Sequence, residues 1–208
     1  MEGGIVQKYC EKRHRFFVWR CNLDTSHKLI LSTIFACITG IAAQIRITLP
    51  WTPVPITGQT LPVLLSGVVL GKWWGGISQA VYLAIGMFGV PWFSGFKGGI
   101  DVVFGPTGGY LLGFIFASLF LGHFVDEHIE MRKFRNLLFL MVIANFGLIY
   151  LPGLVQLGVW LSLTNGSSPG ILKLLWMGAI PFILGDSIKV FLAAILARII
   201  TPREQYCE

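Results

Sequence analysis

The feature that most restricts this chain is a stretch of 37 residues, 136–172, without one charged side chain. No soluble surface accommodates such a run, whereas a bilayer takes about 20 consecutive apolar residues for each helix that crosses it. Apolar runs recur at 29–47, 58–71, 75–90, 107–123, 137–163 and 171–200. Charged residues form only 12% of the sequence and the mean hydropathy is +0.71, against about 25% charge in a soluble domain. The pattern predicts an all-α integral membrane protein with six transmembrane helices over residues 29–200. A basic segment, 1–28, precedes them and a short tail, 201–208, follows.

Within the runs, small residues recur at helical steps. Ser32, Ala36 and Gly40 form a smooth stripe in the first span, Gly76, Ala80 and Ala84 in the third, and Gly109, Gly113 and Ala117 in the fourth. Such faces let helices approach closely in lipid, and the first stripe offers either internal packing or a docking face for a separate membrane subunit. Pro50, Pro53 and Pro55 each remove a backbone donor, so residues 48–57 read as a loop. Residues 91–106, with four glycines, Lys97 and Asp101, read as a second loop, and Thr107 as the N-cap of the fourth span. The fifth span is expected to bend at Pro152. Its polar members are Asn145 and Gln156, the first expected in an interhelical hydrogen bond and the second also placed to face a ligand.

The net charge of +6 does not indicate nucleic acid, because the basic residues cluster at the ends of apolar runs. Twelve lie at 1–28, 72, 132–135 and 198–203, and only Arg46, Lys97 and Lys173 at the opposite ends. The bias places both termini in the cytoplasm, in the cytoplasmic membrane. The four cysteines show no CxxC spacing and are expected to be free thiols. No Walker A, GxSxG or HExxH motif occurs, so neither ATP hydrolysis nor these hydrolase chemistries are expected, and no cofactor or metal is implied.

One pair breaks the apolar rule. Asp186 and Lys189 lie inside the last span, where an ionisable side chain costs about 2.5–3.5 kcal/mol on the mildest scale. Three residues apart, they share one helical face. They form either a structural ion pair or a grip on a polar solute. With two glycine- and proline-rich outer loops, the combination suits capture of a small polar molecule from outside.

Residues 53–67 (PVPITGQTLPVLLSG), the run ending Gly89-Val90-Pro91, residues 105–114 (GPTGGYLLGF) and residues 185–189 (GDSIK) resemble the BioY biotin transporter family. Its members are the substrate-capture (S) components of energy-coupling factor (ECF) transporters. The resemblance implies a six-helix S-component bundle that binds biotin on the outer side. It also implies a transmembrane coupling subunit and ATPase subunits as partners, and no enzymatic activity. It assigns Asp186 and Lys189 to the ureido ring or carboxylate of biotin, and Tyr110, Asp101 and Gln59 join them by position. The Ser32-Ala36-Gly40 stripe takes the place of the family's docking stripe. The alternative is a facilitator or carrier for another small vitamin, working without an ATPase module.

Overall fold

A computed structural model of the chain describes residues 2–206. Ten α-helices occur among them: α1 (Glu2–Asn22), α2 (Thr25–Gln44), α3 (Thr60–Leu70), α4 (Lys72–Met87), α5 (Ile100–Phe104), α6 (Gly108–Glu127), α7 (Phe134–Val142), α8 (Tyr150–Asn165), α9 (Ile171–Gly178) and α10 (Ile180–Ile200). A two-stranded antiparallel hairpin, β1 (Arg46–Ile47) and β2 (Ile56–Thr57), links α2 to α3. Helix α6 is the axis, packed on α3, α4 and α8.

Four stretches are long and apolar enough to cross a membrane among the described residues: α2, α6, the 32-residue unit 134–165, and α10. Helix α3 has 11 residues and α4 has 16, so at about 1.5 Å per residue both fall short of a ~30 Å hydrocarbon core. Two of the six expected spans are thus short, turning at Gly71 with φ +87°.

Two other spans are interrupted, each for a local reason. The expected bend at Pro152 is preceded by a π-helical segment, Ile143–Ile149. A proline ring clashes with the carbonyl four residues back, here Leu148, and a widened turn relieves that clash. The last run is two helices, because Ala179 leaves helical geometry (φ −132°, ψ −58°) just before Pro181.

Small residues sit where backbones touch. A Cβ added at Gly113 would lie 2.6 Å from Ile149 Cα, and one at Gly75 would lie 2.7 Å from Gly67 Cα. In α4 the buried face runs through Gly75, Gln79, Tyr82 and Gly86, while Ala84 of the expected stripe is exposed. The stripe expected to dock a partner is closed by the chain itself. Ser32, Ala36 and Gly40 are buried, Ser32 Oγ donates to the Trp74 carbonyl (3.1 Å), and Gly40 lies under the Trp92 ring. The lipid-facing side of α2 instead presents Ile30, Ile34, Ile38 and Ile41.

Where α2, α3, α4 and α6 meet, fully buried Gln79 donates to Thr39 Oγ1 (3.4 Å) and Ser66 Oγ (3.1 Å). Ser66 in turn hydrogen-bonds Ser118 (3.0 Å). Such interhelical hydrogen bonds replace the hydrophobic drive that lipid does not supply.

Most of the basic N-terminal segment is helix α1, and it clasps the end of the bundle that holds both termini. Arg20 Nη2 pairs with Asp126 Oδ1 (2.8 Å), and the Tyr206 hydroxyl donates to the same oxygen (2.8 Å). Arg132 donates to the Glu204 carbonyl (2.6 Å) and stacks over the Tyr206 ring. Burial and the Asp126 carboxylate push the Tyr206 hydroxyl above its ordinary value. Cys10 and Cys37 are free, but Cys21 is disulfide-bonded, against the expectation of free thiols. Cys207 lies outside the described residues.

The crossing of α6 on the π-helical segment gives a direct test. Gly113→Val overpacks a backbone contact, at a cost of about 1–3 kcal/mol, so the thermal unfolding midpoint in detergent falls clearly, and less for Gly113→Ala. An unchanged midpoint for the valine variant contradicts the crossing.

Candidate functional site

At the end of the bundle opposite the termini, a cavity of about 390 Å³ opens between the β1–β2 hairpin, the loop from α4 to α6, and helices α3, α6, α8 and α10. Its size falls within the ~300–1,000 Å³ of small-molecule sites. All five predicted binding residues, Asp186, Lys189, Tyr110, Asp101 and Gln59, line it.

Asp186 lies at the floor, 4% exposed. Its Oδ1 pairs with Lys189 and accepts a long bond from Thr60 Oγ1 (3.4 Å). Its Oδ2 accepts from the Tyr150 hydroxyl (2.6 Å) and from Asn145 Nδ2 (3.3 Å). Four donors thus occupy about four lone-pair positions, the most a carboxylate offers. Lys189 Nζ also donates to the Thr57 carbonyl (2.6 Å), so two of its three N–H groups are used and one remains. Asp186 is thus saturated by protein groups, whereas Lys189, which also lines the cavity, keeps one N–H unused.

The other predicted residues divide. Gln59 is held between Thr57, whose hydroxyl donates to its Oε1 (2.9 Å), and the Tyr82 hydroxyl, which accepts from its Nε2 (2.8 Å). The Tyr110 hydroxyl donates to the Gly178 carbonyl (2.7 Å) at the end of α9, so this residue meets the cavity mainly through its ring. Asp101 is exposed, at the mouth with Arg46 and Lys97. Gln156 is turned to other work, donating to the Val103 (2.6 Å) and Gly105 (2.8 Å) carbonyls to brace α5 against α8. Thr107 lines the cavity but makes no side-chain cap.

The structure adds Tyr150, Phe93 and Ser94, which local sequence did not single out, and it gives Asn145 its expected interhelical hydrogen bond, to Asp186. Asn145, within the π-helical segment, and Tyr150, directly after it, reach Asp186 from the fifth span. That irregularity is invisible to 3.6-residue periodicity. Phe93 and Ser94 come from the loop after α4, where Gly89, Gly95, Gly99 and Phe96 (φ +56°) all have positive φ. A non-glycine residue there marks strain held by its surroundings. The restraint is Gln44, at the end of α2. Its amide nitrogen lies within hydrogen-bond distance of the Trp92 (3.2 Å) and Phe93 (3.1 Å) carbonyls, and its oxygen accepts from Phe96 N (3.0 Å).

Gln44→Leu removes that restraint. Limited proteolysis is expected to cut the variant near residues 94–98 several-fold faster than the parent protein, and equal rates refute the role of Gln44.

The profile of the BioY family matches residues 14–205. A probable biotin transporter BioY of Methanothermobacter thermautotrophicus is 60% identical over 144 residues, covering 69% of this chain and 92% of that protein. The biotin transporter BioY of Thermotoga maritima is 35% identical over 170 residues, covering 82% of this chain and 93% of its own. The fold matches a crystal structure of the S-component for biotin from an ECF-type ABC transporter with a TM-score of 0.73. That match has 24% sequence identity and spans 85% of this chain and 93% of the other. On the breadth of the family match and the identity to these relatives, the chain belongs to the BioY family.

Proposed function

We propose that this chain captures biotin from outside the cytoplasmic membrane, as the substrate-specific S component of an ECF-type transporter. In this reading both termini and residues 1–28 face the cytoplasm. A transmembrane coupling subunit and ATPase subunits supply the energy, and the chain itself carries no cofactor. The observation that carries the reading is the Asp186–Lys189 pair, its carboxylate saturated and its ammonium with one N–H unused, at the floor of an otherwise largely apolar cavity. The names of the curated relatives support the substrate.

Biotin has a ureido group with one carbonyl and two N–H groups, an apolar thioether ring and a carboxylate on a flexible chain. The unused N–H of Lys189 suits the ureido oxygen. The long Thr60 and Asn145 contacts to Asp186, 3.4 and 3.3 Å, are the ones a ureido N–H displaces at least cost. Phe93, Phe114 and Phe182 line the space for the thioether ring. The carboxylate then reaches the mouth, where Arg46 and Lys97 outnumber Asp101.

Burial of the Ser32-Ala36-Gly40 stripe favours one variation on this reading. A coupling subunit cannot dock on a face already closed by α4, so coupling uses another face or the chain works as a facilitator without an ATPase module. Biotin uptake into proteoliposomes holding this chain alone separates the two.

Titration calorimetry tests the site. Lys189→Met loses a charge-assisted hydrogen bond worth about 1.5–3 kcal/mol, so biotin affinity falls about 10- to 150-fold. Unchanged affinity overturns the assignment. Asp186→Asn also turns an amide N–H toward groups that donate to this position, so its melting temperature drops together with its affinity. The charge exchange Asp186→Lys with Lys189→Asp is expected to fail on stability alone, since the Tyr150 and Asn145 donors would face an ammonium.

Orientation is checked by labelling intact cells with an impermeant thiol reagent after replacing exposed Cys37. A cysteine at position 168 is expected to react from outside, and one at position 130 only after lysis. The reverse pattern overturns the topology.

A further inference from the structure

A second cavity, of about 530 Å³, opens at the end of the bundle that holds both termini, between α1 and the end of α10. Three arginines line it: Arg13 from α1, Arg198 from the last turn of α10, and Arg203 from the segment after it. Among the described residues none of the three is within ion-pair distance of a carboxylate. Arg13 Nε is buried without a hydrogen-bond partner. The guanidinium meets only Cys10 Sγ, at 3.5 Å, and the Tyr9 ring. Glu204 is the one acidic residue in the lining, and its side chain is 79% exposed with its carboxylate 3.9 Å from His14.

The walls are held in place. The Tyr9 hydroxyl donates to the Ile199 carbonyl (2.9 Å), and His14 Nε2 lies 3.2 Å from the Gln205 carbonyl. Three guanidiniums in a fixed groove repel one another, and a buried N–H without an acceptor is costly. A polyvalent anion with several oxygens removes both penalties.

The surroundings say how that anion arrives. The groove begins where the apolar run of α10 ends, at the boundary of the hydrocarbon. Tyr9, Phe16 and Trp19, at steps of seven and three, put exposed aromatic rings along one flank of α1. Aromatic residues of this kind settle at the headgroup level of a bilayer, and basic pockets at helix ends accept lipid phosphates. We infer that this groove seats the phosphate of an anionic phospholipid headgroup, held by Arg13, Arg198 and Arg203, with the aromatic flank of α1 along the acyl boundary. The inference rests on the membrane placement of the chain and is independent of biotin.

Native mass spectrometry of the detergent-purified protein, titrated with phosphatidylglycerol or phosphatidylcholine, tests it. Phosphatidylglycerol is expected to bind more tightly. R13Q/R198Q/R203Q is expected to weaken it about 100-fold, at roughly 5-fold per arginine, without changing phosphatidylcholine binding. A control with equal charge loss on exposed positions of α1, K8Q/K12Q/R15Q, stays within about 3-fold of the parent. If the triple variant does not melt cooperatively, Arg203→Gln, outside any helix, carries the test and is expected to show about a 5-fold loss. Three results overturn the site: no preference between the two lipids, an equal loss in the control, or displacement of phosphatidylglycerol by millimolar inorganic phosphate.

Discussion

A carboxylate that is 4% exposed inside a membrane bundle must be surrounded by donors. Removing the partner of a buried charge costs about 3–5 kcal/mol. Asp186 meets that demand with Thr60 from α3, Asn145 and Tyr150 from the fifth span, and Lys189 one turn along α10. One side chain therefore ties three of the spanning units together at the floor of the cavity. The same bonds hold the Lys189 ammonium at the end of a fixed salt bridge, with one N–H unused at the cavity. In the proposed function, the contact that stabilises the bundle also positions the group that meets the solute.

Everything above that floor depends on close helix crossings. Lipid gives no hydrophobic reward for helix association, so contact area and hydrogen bonds must supply it. Gly67, Gly75, Gly109 and Gly113 bring backbones together without intervening side chains, and the Gln79–Ser66–Ser118 node adds hydrogen bonds where four helices meet. Short α3 and α4 then leave room at one end for the hairpin and the strained loop, and these close around the cavity.

The two ends of the bundle are built differently. The cavity end carries a loop of positive-φ residues that Gln44 fastens to α2 and Tyr82 to α4. The opposite end is locked by Arg20, Asp126, Arg132 and Tyr206, which fasten α1 and the tail to the helix turns. Among the described residues this end also holds the arginine groove, whose three guanidiniums have no carboxylate within ion-pair distance.

The membrane class, the four long apolar spans and the five residues that meet in the cavity were legible in the sequence. Hydropathy, charge bias and the placement of polar residues near helix ends are local properties, and a bilayer leaves few ways to satisfy them. Three things were decided only in the tertiary structure. The Ser32-Ala36-Gly40 stripe is as smooth in sequence as any docking face, yet α4 covers it, and only packing chooses between two uses of the same small residues. Asn145 and Tyr150 converge on Asp186 across a π-helical turn that departs from the helical period. Lys189 keeps an unused N–H while the Asp186 oxygens have no acceptor site left, because donors from α3 and the fifth span fill the carboxylate. Sequence determines which polar groups must be satisfied in the membrane. Tertiary structure decides which of them are satisfied by one another and which are left for a ligand.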